Sequence, residues 1–192
     1  MSEVERQSAT APAAAVPAAA PARRKLPAAA SGWRWLPLSA AVIVLDRLAK
    51  LWITHHFAPL ERVHVLKVLD IILTYNTGAA FSFLAEASGW QRWLFVGIAV
   101  TAAVVIVVLL KRGGSAWYGA GLALILGGAL GNLFDRLVIG KVVDFLLFHY
   151  GGWAYPAFNV ADSAITVGAA ILIFDSLRRH DDGPAHAAKG TR

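Results

Sequence analysis

Four long apolar segments dominate the pattern of hydrophobic and polar positions along this chain. They lie at roughly 33–55, 90–110, 117–137 and 160–177. A helix needs about 20 residues to cross the hydrocarbon core of a bilayer, and each segment is about that long. No charged residue occurs in 93–110 or 117–134. The pattern therefore predicts an all-α membrane protein with four transmembrane helices.

The two longer connections between these segments differ from simple linkers. Residues 63–75, between the first and second segments, are rich in β-branched side chains and partly alternate apolar with polar. This pattern predicts one or two strands on the membrane surface, forming a small β-rich platform inserted between helices 1 and 2. Residues 142–148 are also strand-like or re-entrant, because they are far too short to cross the bilayer.

The two ends of the chain differ from its apolar middle. Residues 1–31 are rich in Ala and Pro, and repeated Pro opposes both helix formation and core packing. They also lack the continuous apolar stretch of a cleavable secretory signal. We therefore expect a disordered tail at 1–31, one four-span membrane domain at 32–178 and a second tail at 179–192.

Composition agrees with a membrane location. Apolar residues make up 57% of the 192-residue chain, whereas about 45–50% is usual for soluble domains. The formal charge at pH 7 is +6, but the basic residues lie at the ends of the apolar segments, which argues against nucleic-acid binding. The absence of cysteine excludes disulfides, thiolate metal ligands and a cysteine nucleophile.

The basic residues also predict an orientation. They precede the first apolar segment, form the turn between the second and third, and follow the fourth: Arg23, Arg24, Lys25, Arg34, Lys111, Arg112, Arg178 and Arg179. Cytoplasmic loops carry an excess of Lys and Arg, so both termini and this turn are expected in the cytoplasm. Loops 56–89 and 138–159 then face the outer side of the membrane.

Three carboxylates gather at that outer side. Asp135 ends the third segment, Asp162 begins the fourth, and Asp144 lies in the loop between them. Charged groups in or near a bilayer are costly, so these acids are candidates for function. In the first segment, Asp46 and Lys50 are spaced i,i+4, which predicts an internal ion pair.

The residues alone leave several roles open for the outer acids. Two close carboxylates can share a proton and activate water for hydrolysis, bind a divalent metal together with His149, or relay protons in a transporter. Asp162 also fits an acid at the third position of a helix capped by Asn159. Asp135 and Arg136 together fit a local salt bridge.

Two further patterns favour ordinary explanations. A serine hydrolase is a weak interpretation, because no strand-turn-helix elbow surrounds Ser163. The Gly-rich stretch 127–131 lies inside an apolar segment without a Lys. That setting indicates close helix packing through small residues rather than phosphate binding.

Five motifs, taken in order, resemble the lipoprotein signal peptidase (signal peptidase II) family across about residues 35–178. They are Asp46 with Lys50, Tyr-Asn-Thr-Gly-Ala-Ala-Phe-Ser-Phe at 75–83, Gly-Gly-Ala-Leu-Gly-Asn-Leu-Phe-Asp-Arg at 127–136, Val-Val-Asp-Phe at 142–145 and Phe-Asn-Val-Ala-Asp-Ser at 158–163. A single motif of this kind would carry little weight, whereas five in this order are highly specific.

The resemblance implies a membrane aspartic endopeptidase that removes signal peptides from diacylglyceryl-modified prolipoproteins, cleaving before the lipidated cysteine. It implies that Asp144 and Asp162 are the catalytic pair, with no cofactor and no metal. It implies substrate-binding or supporting roles for a further set of residues: Asn76, Gly78, Asn132, Asp135, Arg136, Asn159, Asp46 and Lys50.

The expected setting is the bacterial inner membrane, with a multi-pass chain and an active site near the periplasmic face. Prolipoprotein substrates and membrane lipids are the expected partners, without nucleic acid, and the protein is expected to be a monomer. A small proton-coupled transporter and a metal-dependent membrane hydrolase remain the alternatives.

Overall fold

Four long helices form the body of the protein in the computed structural model, which describes residues 31–78 and 89–181. They are α1 (Leu36–His56), α2 (Trp90–Arg112), α3 (Ala116–Val138) and α4 (Val160–Asp181), and a short 3-10 helix at Gly32–Trp35 precedes α1. Each of the four predicted helical segments is therefore found as a helix. The tails predicted at 1–31 and 179–192 lie almost entirely outside the described residues.

Within the described part of the chain, three helices are long and apolar enough to cross a membrane. They are α2, α3 and the stretch Val160–Arg178 of α4. Helix α1 has 21 residues, which is long enough, but it carries three charged residues in its middle, Asp46, Arg47 and Lys50. The fold is thus that of a helical membrane protein with three clear candidate spans.

The helices begin and end at residues that suit those positions. Ser115 precedes α3, and its hydroxyl accepts a hydrogen bond from the backbone N–H of Tyr118 at 3.0 Å. This is the usual way a serine satisfies a free N–H at a helix start. Helix α2 ends at Gly113, whose φ of +74° is a conformation that favours glycine. The turn between α2 and α3 is therefore tight.

One antiparallel sheet lies at the end of the helix bundle where α1 and α3 finish and α4 starts. Its strands are β1 (Arg62–Leu66), β2 (Leu69–Asn76), β3 (Val142–Tyr150) and β4 (Trp153–Ala154), paired in that order. The strands predicted between helices 1 and 2 are confirmed. However, β3 and β4 come from the connection between α3 and α4. The predicted platform, placed only between helices 1 and 2, therefore covers only half of the strands of the sheet.

Small residues bring α3 into backbone contact with two neighbouring helices. A Cβ atom added to Gly127 would lie 2.7 Å from the Cβ atom of Val42 in α1. A Cβ atom added to Gly128 would lie 2.3 Å from the carbonyl oxygen of Ala161 in α4. The close helix packing predicted for residues 127–131 is therefore confirmed.

The sheet is attached to the bundle by an apolar cluster. Its buried members come from α1, β2 and β3: Ile53, Leu73, Val143 and Phe145. Burial of such side chains stabilises by roughly 1.5–3 kcal/mol each. This packing sets the position of β3, and therefore of the residues that β3 carries next to the helix ends.

Candidate active site

Polar side chains from four elements meet where the sheet contacts the helices. They are Lys50 of α1, Asn132 of α3, Asp144 of β3, and Asn159 with Asp162 at the start of α4. Four of the five are buried in an otherwise apolar interior, and Asp162 is partly exposed. Buried polar groups are costly unless they are hydrogen-bonded, so their partners show how this cluster is held together.

Asn159 and Asp162 form a reciprocal cap at the start of α4. The backbone N–H of Asp162 donates to the Asn159 side-chain oxygen at 2.9 Å. The backbone N–H of Asn159 donates to Asp162 Oδ2 at 3.3 Å. The capping geometry predicted from the sequence is therefore present, and it holds the Asp162 carboxylate at the helix start.

The same Asn159 side chain reaches the second acid. Its Nδ2 donates to Asp144 Oδ1 at 2.7 Å, while its oxygen faces the backbone of Asp162. The Asn76 side chain also hydrogen-bonds to Asp144. Asn76 is itself oriented by the backbone N–H of Gly78, which donates to its side-chain oxygen at 2.8 Å. One amide thus connects the two aspartates, and a second supports Asp144 from β2.

Asp144 is held in an environment that opposes its ionisation. Its side chain is 1% exposed. Burial, together with the nearby negative charge of Asp162, raises the pKa of Asp144 from 3.8 to about 7, although hydrogen bonds from Asn76 and Asn159 act in the opposite direction. A carboxyl group with such a pKa can hold a proton at neutral pH and give it up during a reaction.

Asp162 is the more accessible acid of the two. It lines an open cavity of about 510 Å³, between β3, β4 and α4. The rest of the lining is mainly apolar and aromatic: Phe148, Trp153, Tyr155, Phe158, Ser163, Thr166 and Val167. Water and an apolar ligand can therefore approach the acid pair from the Asp162 side.

Asn132 links Asp162 to buried charges in α1. Its Nδ2 donates to Asp162 Oδ1 at 2.7 Å, and its oxygen accepts from Lys50 Nζ at 3.1 Å. Lys50 is 1% exposed, and it also pairs with Asp46 at 2.7 Å and with Asp135 at 2.8 Å. The predicted ion pair between Asp46 and Lys50 is confirmed, as part of a larger network.

Asp135 does not pair mainly with Arg136, its neighbour in the sequence and its predicted partner. Its carboxylate pairs with Lys50 and Arg47 of α1, and its Oδ2 accepts from the backbone N–H of Val143 at 3.2 Å. The local salt bridge to Arg136 is therefore not the main contact of Asp135. Instead, Asp135 joins α1, α3 and β3, which places it in a supporting position.

Arg136 lies on the acid side of the cluster. Asp162, Asp144 and Asp135 all act on it electrostatically, in that order of strength. Its guanidinium packs 4.9 Å from the ring centre of Phe95 in α2. It is only partly buried, so a positive charge stands close to both carboxylates and to solvent.

The residues that would serve other mechanisms are engaged elsewhere. The hydroxyl of Ser163 donates to the backbone oxygen of Asn159 at 2.9 Å, as a helix residue commonly does. His149 lies 3.0 Å from Asp70. His149 and Asp144 are five positions apart on β3, and this odd spacing directs the two side chains to opposite faces of the sheet. The sequence therefore overstated the closeness of His149 to the acids.

Two features of this region were missed from the sequence. Arg47 pairs with Asp135 although 88 positions separate them. The sequence could have indicated this contact, because Arg47 and Lys50 are spaced i,i+3 and are therefore neighbours on the surface of α1. The second feature is the cluster around Asp70 of β2, which is contacted by Arg62 and His64 of β1 and by His149 of β3.

Comparison with known proteins identifies relatives of this chain. The family model described as signal peptidase (SPase) II matches residues 38–178. The lipoprotein signal peptidase of Burkholderia multivorans is 55% identical over 146 residues, which cover 76% of this chain and 88% of the relative. That of Paraburkholderia phymatum is 52% identical over 154 residues, covering 80% and 93%.

Solved structures show the same fold. A bacterial membrane enzyme determined by the in meso method at 2.3 Å resolution is similar with a TM-score of 0.71 and 25% identity, covering 83% of this chain and 94% of the other. Another, at 1.9 Å, has a TM-score of 0.69 and 27% identity, covering 75% and 92%. Neither a transporter nor a metal-dependent hydrolase is favoured by these relatives. Because the family model and relatives more than half identical cover most of its length, this chain belongs to the signal peptidase II family.

Proposed function

We propose that this protein is an aspartic endopeptidase that removes signal peptides from prolipoproteins, with Asp144 and Asp162 as its catalytic pair. The observation that carries the proposal is the arrangement of these two acids. Asn159 contacts both carboxylates, that of Asp144 through its Nδ2 and that of Asp162 through its backbone N–H. Burial and the charge of Asp162 raise the pKa of Asp144 to about 7. Two neighbouring carboxyl groups that share one proton are the arrangement needed for acid–base hydrolysis of an amide.

The two acids take different roles in this mechanism. Asp162 faces the open cavity, and its carboxylate removes a proton from water as the water oxygen bonds to the scissile carbonyl carbon. Asp144 holds the shared proton and donates it to the carbonyl oxygen. When the resulting tetrahedral intermediate collapses, the C–N bond breaks, the leaving nitrogen takes the proton from Asp162, and the new carboxylic acid returns a proton to Asp144.

The surrounding polar residues keep this pair in position. Asn132 donates to Asp162 and Asn159 donates to Asp144, so each carboxylate has an amide donor. Arg136 supplies a positive charge close to both acids, which suits it to hold substrate backbone oxygen or to limit the negative charge of the site. Asp46, Lys50 and Asp135 act one step further away, through Asn132 and the ends of α1 and α3.

The substrate proposed is a diacylglyceryl-modified prolipoprotein, cleaved before its lipidated cysteine. Such a substrate has two apolar parts, a signal helix and acyl chains, which favour the bilayer. The cavity beside Asp162 is lined mainly by aromatic and aliphatic side chains, which suits an apolar ligand. A site at the membrane surface therefore meets the scissile bond while the apolar parts stay in lipid and water enters from outside.

We also propose that α1 is a fourth membrane span. Its charges point into the bundle, since Asp46 is 0% and Lys50 is 1% exposed. The exposed large side chains of its central turns are apolar: Val44, Leu45, Leu48, Leu51 and Trp52. A helix of this kind can face lipid even though it carries three charged residues, because their ion pairs are directed into the protein.

With four spans, the basic residues give the orientation. Arg34, Lys111, Arg112 and Arg178 lie at the bundle end opposite the sheet. The positive-inside rule then places that end and both termini in the cytoplasm. The acid pair lies near the periplasmic face of the inner membrane, where the chain acts as a monomer.

The test is processing of a diacylglyceryl-modified prolipoprotein by the purified full-length protein in detergent micelles. Asp144→Asn and Asp162→Asn are each expected to lower the rate at least about 100-fold, the smaller end of what a general acid or base contributes. Asp175→Asn is a matched control, because Asp175 is also a buried aspartate but bonds with Ser115 at the opposite end of the bundle.

Each variant must first give a folded, monodisperse protein with a cooperative thermal transition. If folded Asp144→Asn or Asp162→Asn retains more than half of the wild-type rate, the assignment of the catalytic pair is wrong. If the wild type itself does not cleave the lipid-modified substrate, the proposed substrate is wrong.

A further inference from the structure

A second cluster of polar side chains lies on the sheet, apart from the acid pair. Asp70 is the central residue of this cluster, and its side chain is 0% exposed. His64 Nδ1 lies 2.7 Å from Asp70 Oδ1, and His149 Nε2 lies 3.0 Å from the same oxygen. Arg62 contacts the other oxygen, Oδ2. We call His64, Asp70 and His149 the sheet triad.

Strand pairing explains how three distant residues meet. His64 of β1 is the cross-strand partner of Asp70 of β2, so their side chains share a face of the sheet. Asp70 in turn pairs with Leu147 of β3, and His149 lies two residues further along the same face. Each of three neighbouring strands therefore contributes one ligand-type side chain to the same point.

One contact of the triad is a hydrogen bond, from His64 to Asp70, and the other is not. His149 Nε2 is a buried atom without a well-directed hydrogen-bond partner, although it is only 3.0 Å from Asp70 Oδ1. One nitrogen from each histidine and one oxygen from Asp70 all lie within 4.8 Å of one another. Two imidazole nitrogens and one carboxylate oxygen form a donor set that divalent transition metals prefer.

We propose that the sheet triad binds a divalent zinc-like metal ion that joins β1, β2 and β3. Bonds of about 2.0–2.1 Å to a tetrahedral zinc ion place its ligand atoms about 3.3 Å apart. The observed separations from Asp70 Oδ1 are 2.7 and 3.0 Å. Each nitrogen would therefore have to move a few tenths of an ångström away from Asp70 Oδ1, and the two nitrogens, which lie within 4.8 Å of each other, would close on the ion.

The surroundings of the triad suit such an ion. Both histidines line an open surface cavity of about 440 Å³, which gives the ion a path from solvent and leaves space for a water ligand. The contact of Arg62 with Asp70 Oδ2 fixes the carboxylate so that Oδ1 stays directed at the histidines. A site with three protein ligands and one water is a common zinc arrangement.

The metal site is structural and separate from the proposed peptidase chemistry. His149 is five residues from Asp144 on β3, which corresponds to about 17 Å along an extended strand. The two side chains also face opposite sides of the sheet. The ion would tie β1 to β2 and β3, the strands that carry Asn76 and Asp144, without touching a reacting group.

The experiment is a calorimetric titration of zinc chloride into the tag-free full-length protein in detergent micelles, after treatment with a chelator. The wild type is expected to bind one equivalent. His64→Ala and His149→Ala are each expected to weaken this binding at least about tenfold. A double variant, His55→Ala with His56→Ala, is the matched control, because these histidines end α1 outside the triad.

Thermal unfolding supplies a second readout. Zinc is expected to raise the Tm of the wild type and of the control variant but not of His64→Ala or His149→Ala, because a ligand stabilises only a state that binds it. The His64 side chain is 76% exposed, so its removal should leave a folded protein, which circular dichroism checks.

Absence of binding to the wild type, or equal binding by wild type and both triad variants, would overturn the proposal. Equal binding would place the ion on other histidines of the chain. Neither outcome depends on whether the protein cleaves prolipoproteins, so the failure of this inference is distinguishable from failure of the proposed function.

Discussion

Asp144→Asn is expected to stabilise the folded protein while abolishing its activity. The side chain is 1% exposed, and burial with the nearby charge of Asp162 raises its pKa from 3.8 to about 7. One pKa unit corresponds to about 1.4 kcal/mol, so a shift of about three units corresponds to about 4 kcal/mol. The folded state gives up this amount of stability at pH values where Asp144 is ionised.

The sign of this effect sets its pH dependence. Below pH about 4, Asp144 is protonated in both the folded and unfolded states, so it costs nothing. As pH rises from about 4 to about 7, the unfolded chain loses the proton while the folded protein retains it, and stability falls. Above pH about 7 the loss is complete. The asparagine side chain of the variant is neutral throughout, so the advantage of the variant grows across the same window.

The asparagine fits the existing hydrogen bonds in part. Its carbonyl oxygen can still accept from Asn159, whose Nδ2 lies 2.7 Å from Asp144 Oδ1, and its amide can donate toward Asp162. The hydrogen bond between Asn76 and residue 144 is the one that the variant is expected to lose. The net gain at pH 8 is therefore expected to lie between about 1 and 4 kcal/mol, with the loss of one hydrogen bond subtracting about 1 kcal/mol.

The assay is thermal unfolding of wild type, Asp144→Asn, Asp162→Asn and the double variant in one detergent, at a fixed scan rate, from pH 4.5 to 8. The Tm difference between wild type and Asp144→Asn should be largest at pH 8 and shrink toward pH 4.5. In an Asp162→Asn background the gain from Asp144→Asn should be smaller, because the opposing charge is gone. An Asp144→Asn protein that is less stable than wild type at pH 8 would refute the reasoning.

Two further predictions follow from the site and the helix packing. The kcat/KM for prolipoprotein cleavage is expected to decrease above about pH 7, with a slope that approaches tenfold per pH unit. The reason is that Asp144, with its pKa of about 7, loses the proton that it donates. Initial rates from pH 5.5 to 9 measure this decrease, and a flat profile to pH 9 would contradict it. Gly128→Ala is expected to reduce both the yield of folded protein and the processing rate, because its Cβ would lie 2.3 Å from the Ala161 carbonyl oxygen. Gly97→Ala is the control, because a Cβ added there meets nothing within 4 Å, and it should match the wild type in size-exclusion profile and initial rate. Equal behaviour of the Gly128 and Gly97 variants would show that α3 and α4 can separate without cost.

The sequence predicted the helices well because their apolar runs are long and their ends are marked. The segment expected at 117–137 is observed as Ala116–Val138, starting directly after the capping residue Ser115. The uncharged stretch of α2 left no alternative to a helix of membrane length. The sheet was harder to predict, because residues 142–148 are equally consistent with a strand and with a re-entrant segment. Only pairing with β2 decides between them, and that pairing is a long-range contact.

The site was predicted in its residues but not in its contacts. Spacing on one helix predicts the Asp46–Lys50 pair, since both residues lie on the same face. It cannot predict that Lys50 also reaches Asp135 and Asn132, which lie on another helix. For the same reason, Asp135 was paired with its neighbour Arg136 in the sequence, whereas helix packing pairs it with Arg47.

The buried charges of α1 connect the membrane part of the fold to the acid pair. Asp46, Arg47, Lys50 and Asp135 carry two negative and two positive charges, so the group is neutral as a whole and each charge has a partner within the bundle. Removing Asp46, Lys50 or Asp135, whose side chains are at most 1% exposed, would leave an uncompensated buried charge, which typically costs about 3–5 kcal/mol.

This neutral group also has a directional role. Lys50 Nζ donates to the Asn132 oxygen at 3.1 Å, and the Asn132 amide then has only its Nδ2 to offer to Asp162, which it does at 2.7 Å. Lys50, together with Asn159 Nδ2, which donates to the same oxygen at 3.1 Å, thereby fixes which end of the amide faces the carboxylate. Because a flipped amide would place an oxygen against Asp162 instead of a donor, the charges of α1 orient the acid pair without touching it. An apolar replacement of this network could preserve the packing of the bundle, but it would remove one of the two hydrogen bonds, from Lys50 and from Asn159, that direct the Asn132 oxygen away from Asp162.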